Sequence, residues 1–184
     1  MTISIIAAIS SNAALGNNNE LLFHIKEDLQ RFKRLTEGQI VIMGRVTFDS
    51  IIEMNGKPLP NRINVILTRD ENYESKHGEQ AYTSIDRIIN HHKTMGDKDK
   101  KVYICGGEQI YKEFLPYADE ILLSIVNKHI EEVDAFYPIE IQDELGFVAV
   151  EEEEFYSDKY EAYYKFVRYT KPEEIEGGVE DEEN

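Results

Sequence analysis

The chain reads as an α/β fold: a mostly parallel, twisted sheet with helices on both faces and an antiparallel hairpin at one edge. Three observations predict it. Short, unbroken apolar runs recur along the chain, as expected of strands covered on both faces. Segments of helical period separate them. The last two runs, 147–155 and 160–169, flank a Ser157-Asp158-Lys159 turn, the pattern of an antiparallel hairpin. In such sheets ligands collect at the carboxyl ends of the strands, so the residues there carry the chemical interest.

Residues 3–9 (ISIIAAI) form the first strand. The polar loop over 10–20 contains Gly16 and the run Asn17, Asn18, Asn19, residues that tolerate turns and positive φ, and is expected to be mobile. A helix over 26–36 ends before Gly38, and 39–43 (QIVIM) is a second buried strand. Gly44 opens a helix over 45–52, and the two-proline connector 57–62 (KPLPNR) leads into a strand over 63–67. Ser84 caps a helix running through 92. A strand over 101–105 passes through Gly106-Gly107 into a helix over 108–115 that stops at Pro116, and a strand over 120–126 follows.

With 184 residues and 41% hydrophobic content, the chain can bury one sizeable core. Cys105 is its one cysteine, which excludes an internal disulfide framework and suits a reducing compartment. The apolar start MTISIIAAIS lacks basic residues before it and is too short to span a bilayer, so a soluble, cytoplasmic protein is expected. The net charge of −16 argues against binding nucleic-acid backbones but leaves a small anionic ligand open. Residues 171–184 (KPEEIEGGVEDEEN) hold seven acids against one lysine, leaving −10 on residues 1–170, and are expected to form a disordered tail.

At helical spacing Ile25, Leu29 and Phe32 share a face, and Asp28 lies on the same side. That face is expected to look inward. A carboxylate there must be paired, raised in pKa, or ready to accept hydrogen bonds from a ligand. The plain alternative is that Glu27 and Asp28 occupy a first turn, where the macrodipole favours acids. In YICGGEQIY (103–111) a strand runs through two glycines into a helix, which lets a ligand approach the backbone and presents helix-start amides to a phosphate. A tight turn with nothing bound is the other reading, since the GxGxxG spacing is absent. MGRVTFDS (43–50) repeats the order, with Arg45 a forked donor and Thr47 a hydroxyl, and a third strand ends in Leu67, Thr68 and Arg69. Three strand ends thus converge on a dinucleotide-sized anion. No metal site is indicated: His91 and His92 are adjacent and do not share a helix face, and His24, His77 and His129 stand alone.

The segments ISIIAAI, ALGNNNELLFHIKEDLQRFKRLT, IVIMGRVTFDSI, PLPNRINVILTR, VYICGGEQIYKEFLP and VDAFYP follow the order and approximate spacing of dihydrofolate reductases, a family the chain resembles over nearly all of 1–169. The resemblance implies a domain over 1–170 with an eight-stranded sheet and four flanking helices. It implies an oxidoreductase that passes hydride from NADPH to C6 of 7,8-dihydrofolate, giving 5,6,7,8-tetrahydrofolate for one-carbon and thymidylate metabolism. Antifolate inhibitors are implied as ligands and a monomer as the working form, with no nucleic-acid or membrane partner.

Carried over by position, Asp28 matches the acid that binds the 2-amino group and N3 of the pterin and assists proton delivery to N5. Ser124 stands at a threonine position, where its hydroxyl would bridge Asp28 and the pterin, and Phe23 takes the place of a tryptophan. Ile6 and Ala8 match the pterin pocket, with the backbone carbonyls of Ile6 and Cys105 facing the 4-amino group of antifolates. Leu29, Phe32, Ile51 and Leu59 match the apolar wall, and Arg62, with Lys57 nearby, resembles the arginine that forks onto the α-carboxylate of the glutamyl tail. For the cofactor, Ala8, Leu15, Gly16, Gly44, Val46, Thr47, Leu67, Gly106, Gly107, Glu108, Gln109 and Ile110 match positions lining the dinucleotide. Arg45, Thr68 and Arg69 resemble the cluster around the 2′-phosphate, which favours NADPH over NADH. The Gly106–Gly107 peptide is expected to be cis.

The chain also departs from the family. Phe23 keeps apolar bulk but loses an indole donor, worth on the order of 1 kcal/mol, so activity is expected to survive with an altered pH profile. Val133 and Ala135 flank Asp134, which resembles the residue that holds the loop over 15–23 closed. Cys105 replaces a branched aliphatic and reads as a small buried hydrophobe. Two rival functions are weighed. A riboflavin-pathway reductase would not require the inward Asp28 or Arg62. A non-catalytic nucleotide-binding scaffold would fail to bind folate ligands on titration.

Overall fold

The computed structural model, which describes residues 2–94 and 99–172, gathers the predicted strands into one eight-stranded sheet. In chain order the elements are β1 (Ile3–Ser10), β2 (Ala14–Asn17), β3 (Glu20–Leu21), α1 (Lys26–Thr36), β4 (Ile40–Gly44), α2 (Arg45–Asn55), β5 (Ile63–Leu67), β6 (Gln80–Tyr82), α3 (Ile85–Thr94), β7 (Val102–Ile104), α4 (Glu108–Phe114), β8 (Glu120–Val126), β9 (Ala135–Phe136), α5 (Ile139–Glu144), β10 (Val148–Ser157) and β11 (Ala162–Thr170). The sheet order is β10-β11-β8-β1-β7-β4-β5-β6. β11 runs antiparallel to both β8 and β10, and the remaining pairings are parallel. Residues 173–184, which hold nearly all of the expected tail, lie outside the described residues.

The central strands are apolar at successive positions because alternate side chains fill two cores. Ile3, Ile5, Ala7 and Ile9 of β1 join Ile40, Ile42, Val65 and Ile104 on one face, packed with Ile88 of α3 and Phe114 of α4. Ile6, Val41, Met43, Ile66 and Tyr103 point to the other face, where Phe48 of α2 and Phe32 of α1 cover them.

Beyond the four expected helices there is a short fifth, α5, entered at Pro138 and anchored by Gln142, whose side-chain oxygen accepts from the Tyr137 hydroxyl at 2.9 Å. The segment over 10–20, expected to be a mobile polar loop, contributes β2 to a second sheet of order β3-β2-β9. Asn18 and Asn19 join β2 to β3 with φ of 51° and 63°, the left-handed pair that a two-residue hairpin turn requires. Asparagine tolerates that conformation because its short polar side chain bonds locally. The 3₁₀ turn Leu115–Tyr117 closes α4 around Pro116, and Ser84 caps α3 as expected, its hydroxyl accepting from the Arg87 amide at 3.3 Å.

Candidate active site

The sheet opens at its carboxyl edge because two ladders that share β1 end at different heights. β1 pairs with β7 only from Ile3 to Ile5, whereas its pairing with β8 continues to Ser10. From Ile6 onward one side of β1 is therefore left without a neighbouring strand. The cleft that forms there has a volume of about 1360 Å³. The freed carbonyl of Ile6 is met by the buried Tyr111 hydroxyl, which donates to it at 2.9 Å.

One half of the cleft carries the acid. Asp28 sits in the first turn of α1 and also faces inward, so both readings of its position hold together. The Ser124 hydroxyl of β8 donates to its carboxylate. Burial raises the Asp28 pKa, and the Ser124 hydrogen bond and the charge of Arg31 oppose that rise without cancelling it. Phe32, Ile51 and Leu59 line this half, and so does Leu29, which is 43% exposed: the apolar stripe of α1 borders an open cleft instead of a closed core. Phe23 is buried, edge-on to Tyr160 with ring centroids 5.3 Å apart.

The other half is made of glycine turns. Gly44 donates to the Gly106 carbonyl at 2.8 Å, joining the ends of β4 and β7, and the Gly106–Gly107 peptide is cis. A Cβ on Gly44 would lie 3.0 Å from Ile110 Cγ1, and one on Gly107 would reach Thr47 Oγ1 at 3.5 Å. The missing side chain at Gly44 thus lets the end of β4 approach Ile110, and the starts of α2 and α4 come together beside the cleft. All fifteen positions matched to the cofactor line the cleft, Arg45 and Arg69 as exposed side chains.

The hairpin of β2 and β3 closes one wall. Asp134 accepts from the Asn18 amide at 2.9 Å, and the Ser50 hydroxyl donates to the Asn19 carbonyl at 2.8 Å. Glu108 ties this wall to α4: it pairs with Lys112 at 2.5 Å and accepts from the Phe136 amide of β9 at 3.0 Å. These contacts hold its carboxyl below the usual range.

Two predicted residues stand apart from the lining. Ser124 reaches the cleft only through Asp28. Arg62 is absent from the lining, and its guanidinium donates to Thr36 Oγ1 at 3.1 Å, to the Pro60 carbonyl at 2.6 Å and to the Lys33 carbonyl at 3.3 Å, leaving two N–H groups for a ligand. Cys105 lines the cleft, and burial pushes its thiol up to about 12. Sequence reasoning missed Tyr111. It continues the apolar stripe of α4 with Ile110 and Phe114 and reads as core until its hydroxyl is seen on Ile6. Among the described residues no group of three or more His, Cys, Asp and Glu side chains forms a metal cage, and no helix is long and apolar enough to cross a membrane.

A cleft with one half bounded by glycine turns at the starts of α2 and α4, and an apolar half around one buried acid, defines an α/β protein able to hold two ligands side by side. The family model described as dihydrofolate reductase matches residues 2–171. The dihydrofolate reductase of Bacillus subtilis (strain 168) is 33% identical over 177 residues, covering 96% of this chain and 98% of that protein. A bifunctional dihydrofolate reductase-thymidylate synthase of Paramecium tetraurelia is 42% identical over 114 residues, which are 62% of this chain and 23% of that longer protein. Among solved structures, dihydrofolate reductase from Enterococcus faecalis complexed with NADP(H) and RAB-propyl superimposes with a TM-score of 0.79 at 25% identity, covering 93% of this chain and 96% of that one. The chain belongs to the dihydrofolate reductase family.

Proposed function

We propose that Asp28 is the residue through which this chain, an NADPH-dependent oxidoreductase converting 7,8-dihydrofolate to 5,6,7,8-tetrahydrofolate, binds the pterin and assists protonation of N5. The observation that carries the reading is the Ser124–Asp28 hydrogen bond in the apolar half of the cleft. A half-buried carboxylate with one oxygen already held binds an amidine-like pterin edge through charge-assisted hydrogen bonds, and its raised pKa keeps a proton near the reacting ring closer to neutral pH.

NADPH supplies the hydride when bound. The glycine-lined half would fit it, because Gly44 lets the end of β4 pack against Ile110 and brings the starts of α2 and α4 together beside the cleft, where their amides could meet a phosphate. Arg45, Thr68 and Arg69, which line the cleft, would hold the 2′-phosphate, and Gly106 to Ile110 would take the rest of the dinucleotide. Ile6, Ala8 and Leu15 bound the nicotinamide and pterin junction, with Gly16 in the strand beyond. Phe32, Ile51 and Leu59 exclude water from it, Phe23 packs behind the acid, and the two free N–H groups of Arg62 take the glutamyl carboxylate. The reductase domain spans 1–170 with 171–184 as a tail, and it works as a cytoplasmic monomer without nucleic-acid or membrane partners. Antifolates occupy the pterin half.

The test is NADPH consumption by purified protein with 7,8-dihydrofolate, beside Asp28→Asn and an NADH control. The expected result is turnover that prefers NADPH and falls about 10²- to 10⁴-fold in Asp28→Asn, the range for a lost acid–base group. Equal turnover in Asp28→Asn overturns the assignment.

A further inference from the structure

We infer that Arg31 is a positioning residue for the chemistry at Asp28: seated on the Phe166 ring, its guanidinium holds a fixed positive charge one helical turn from the carboxylate and sets the pH range over which Asp28 works.

The geometry closes a ring of four residues from three elements. Asp28 and Arg31 are three apart on α1 and so share a face. The Arg31 guanidinium carbon lies 4.5 Å from the centroid of Phe166, a cation–π distance. Phe166 of β11 is directly opposite Ser124 of β8 in the ladder, and the Ser124 hydroxyl donates to Asp28. The ring platform and the hydroxyl donor thus come from one pair of facing residues. A long, flexible side chain is thereby held near the carboxylate instead of roaming in solvent.

Other charged and titratable groups act on this pair. Glu153 of β10, opposite Phe166, attracts Arg31, while Arg34 of α1 repels it and Tyr103 of β7 lies within its field. Tyr164 of β11 and Tyr111 of α4 lie in the field of Asp28, and Glu27 also acts on Tyr164. Among these, Ser124 and Arg31 are the two influences that favour the ionised form of Asp28 against burial. Phe23 has no N–H to offer, which leaves the task to them.

The inference rests on the Asp28 assignment above, and its test separates the two. Single-turnover hydride transfer from NADPH to 7,8-dihydrofolate is followed across pH for wild type, Arg31→Met, Arg31→Lys, Phe166→Leu and Asp28→Asn. Without the charge, Asp28 keeps its proton to higher pH. Arg31→Met is therefore expected to transfer hydride about three- to tenfold faster than wild type above the wild-type midpoint, an effect scaled down from that of a close, buried opposite charge. Arg31→Lys restores the wild-type profile, and Phe166→Leu moves it the same way as Arg31→Met by less. If Arg31→Met does not fold, the Phe166→Leu profile decides alone. An unmoved midpoint in Arg31→Met, or in Phe166→Leu where that variant decides, overturns the role of Arg31, as does Arg31→Lys behaving like Arg31→Met. If Asp28→Asn retains the wild-type profile, it is the Asp28 assignment that fails, and the inference fails with it.

Discussion

Replacing Gly16 with alanine isolates the loop from the rest of the enzyme. Gly16 lies in β2, paired with Leu21 of β3 on one side and Ala135 of β9 on the other. A Cβ there would sit 2.7 Å from the Glu20 carbonyl oxygen. The obstacle is backbone within the same hairpin, so no side-chain rotation relieves it and the strands must part. Overpacking of this kind costs about 1–3 kcal/mol. Set against the closed arrangement of one loop, that energy corresponds to a population change of roughly 5- to 150-fold. The eight-stranded sheet does not bear the cost, because Glu20 and Leu21 are exposed and the hairpin belongs to the separate small sheet. Gly16→Ala is therefore expected to melt within about 2 °C of wild type. Its single-turnover hydride transfer and NADPH affinity should fall by about tenfold or more. Stopped-flow transfer, a cofactor titration and a thermal melt make the three readings. Wild-type transfer and affinity would refute the reasoning, and so would a collapse in melting temperature large enough to explain the loss of activity.

Two further outcomes follow from the titrating groups. The folded protein holds the Asp28 proton more tightly than the unfolded chain does, so ionising this group costs stability. That cost is absent below the usual carboxylate range and is felt in full once the pH has risen through the raised, folded value. Asp28→Asn, though slowed in turnover, should thus melt above wild type at neutral pH and lose that gain as the pH falls into the acid range; identical melting at neutral pH would contradict it. The Cys105 thiol, pushed to about 12 from an ordinary 9.0, should alkylate about a thousandfold more slowly in the native protein than in urea at mildly alkaline pH, and comparable rates would show that the site opens.

The sequence by itself determined the central strands and the four main helices, and through the family resemblance it named most of the positions that line the cleft. The reason is local: β1 is apolar at nearly every position because it is covered on both faces, and Gly44 and Gly106-Gly107 mark the points where strands turn into helices. Asp28 stands out as a carboxylate on an apolar helix face, but its place in the first turn accounts for it equally well, and the family resemblance is what gave it a role. Only the tertiary structure decided which distant residues complete those features. Asn18 and Asn19 announce a turn, but the partner that latches it, Asp134, is 116 positions away and is legible in the sequence only through the family resemblance. Nothing in the spacing of α1 singles out Arg31, and Phe166 is placed against its guanidinium only by the β8–β11 register. Tyr111 reads as core until the early end of the β1–β7 ladder leaves the Ile6 carbonyl to receive its hydroxyl. Period and composition record which way a residue faces within its own element. What it meets there depends on strand order and register, which arise only when segments far apart in the chain pack together.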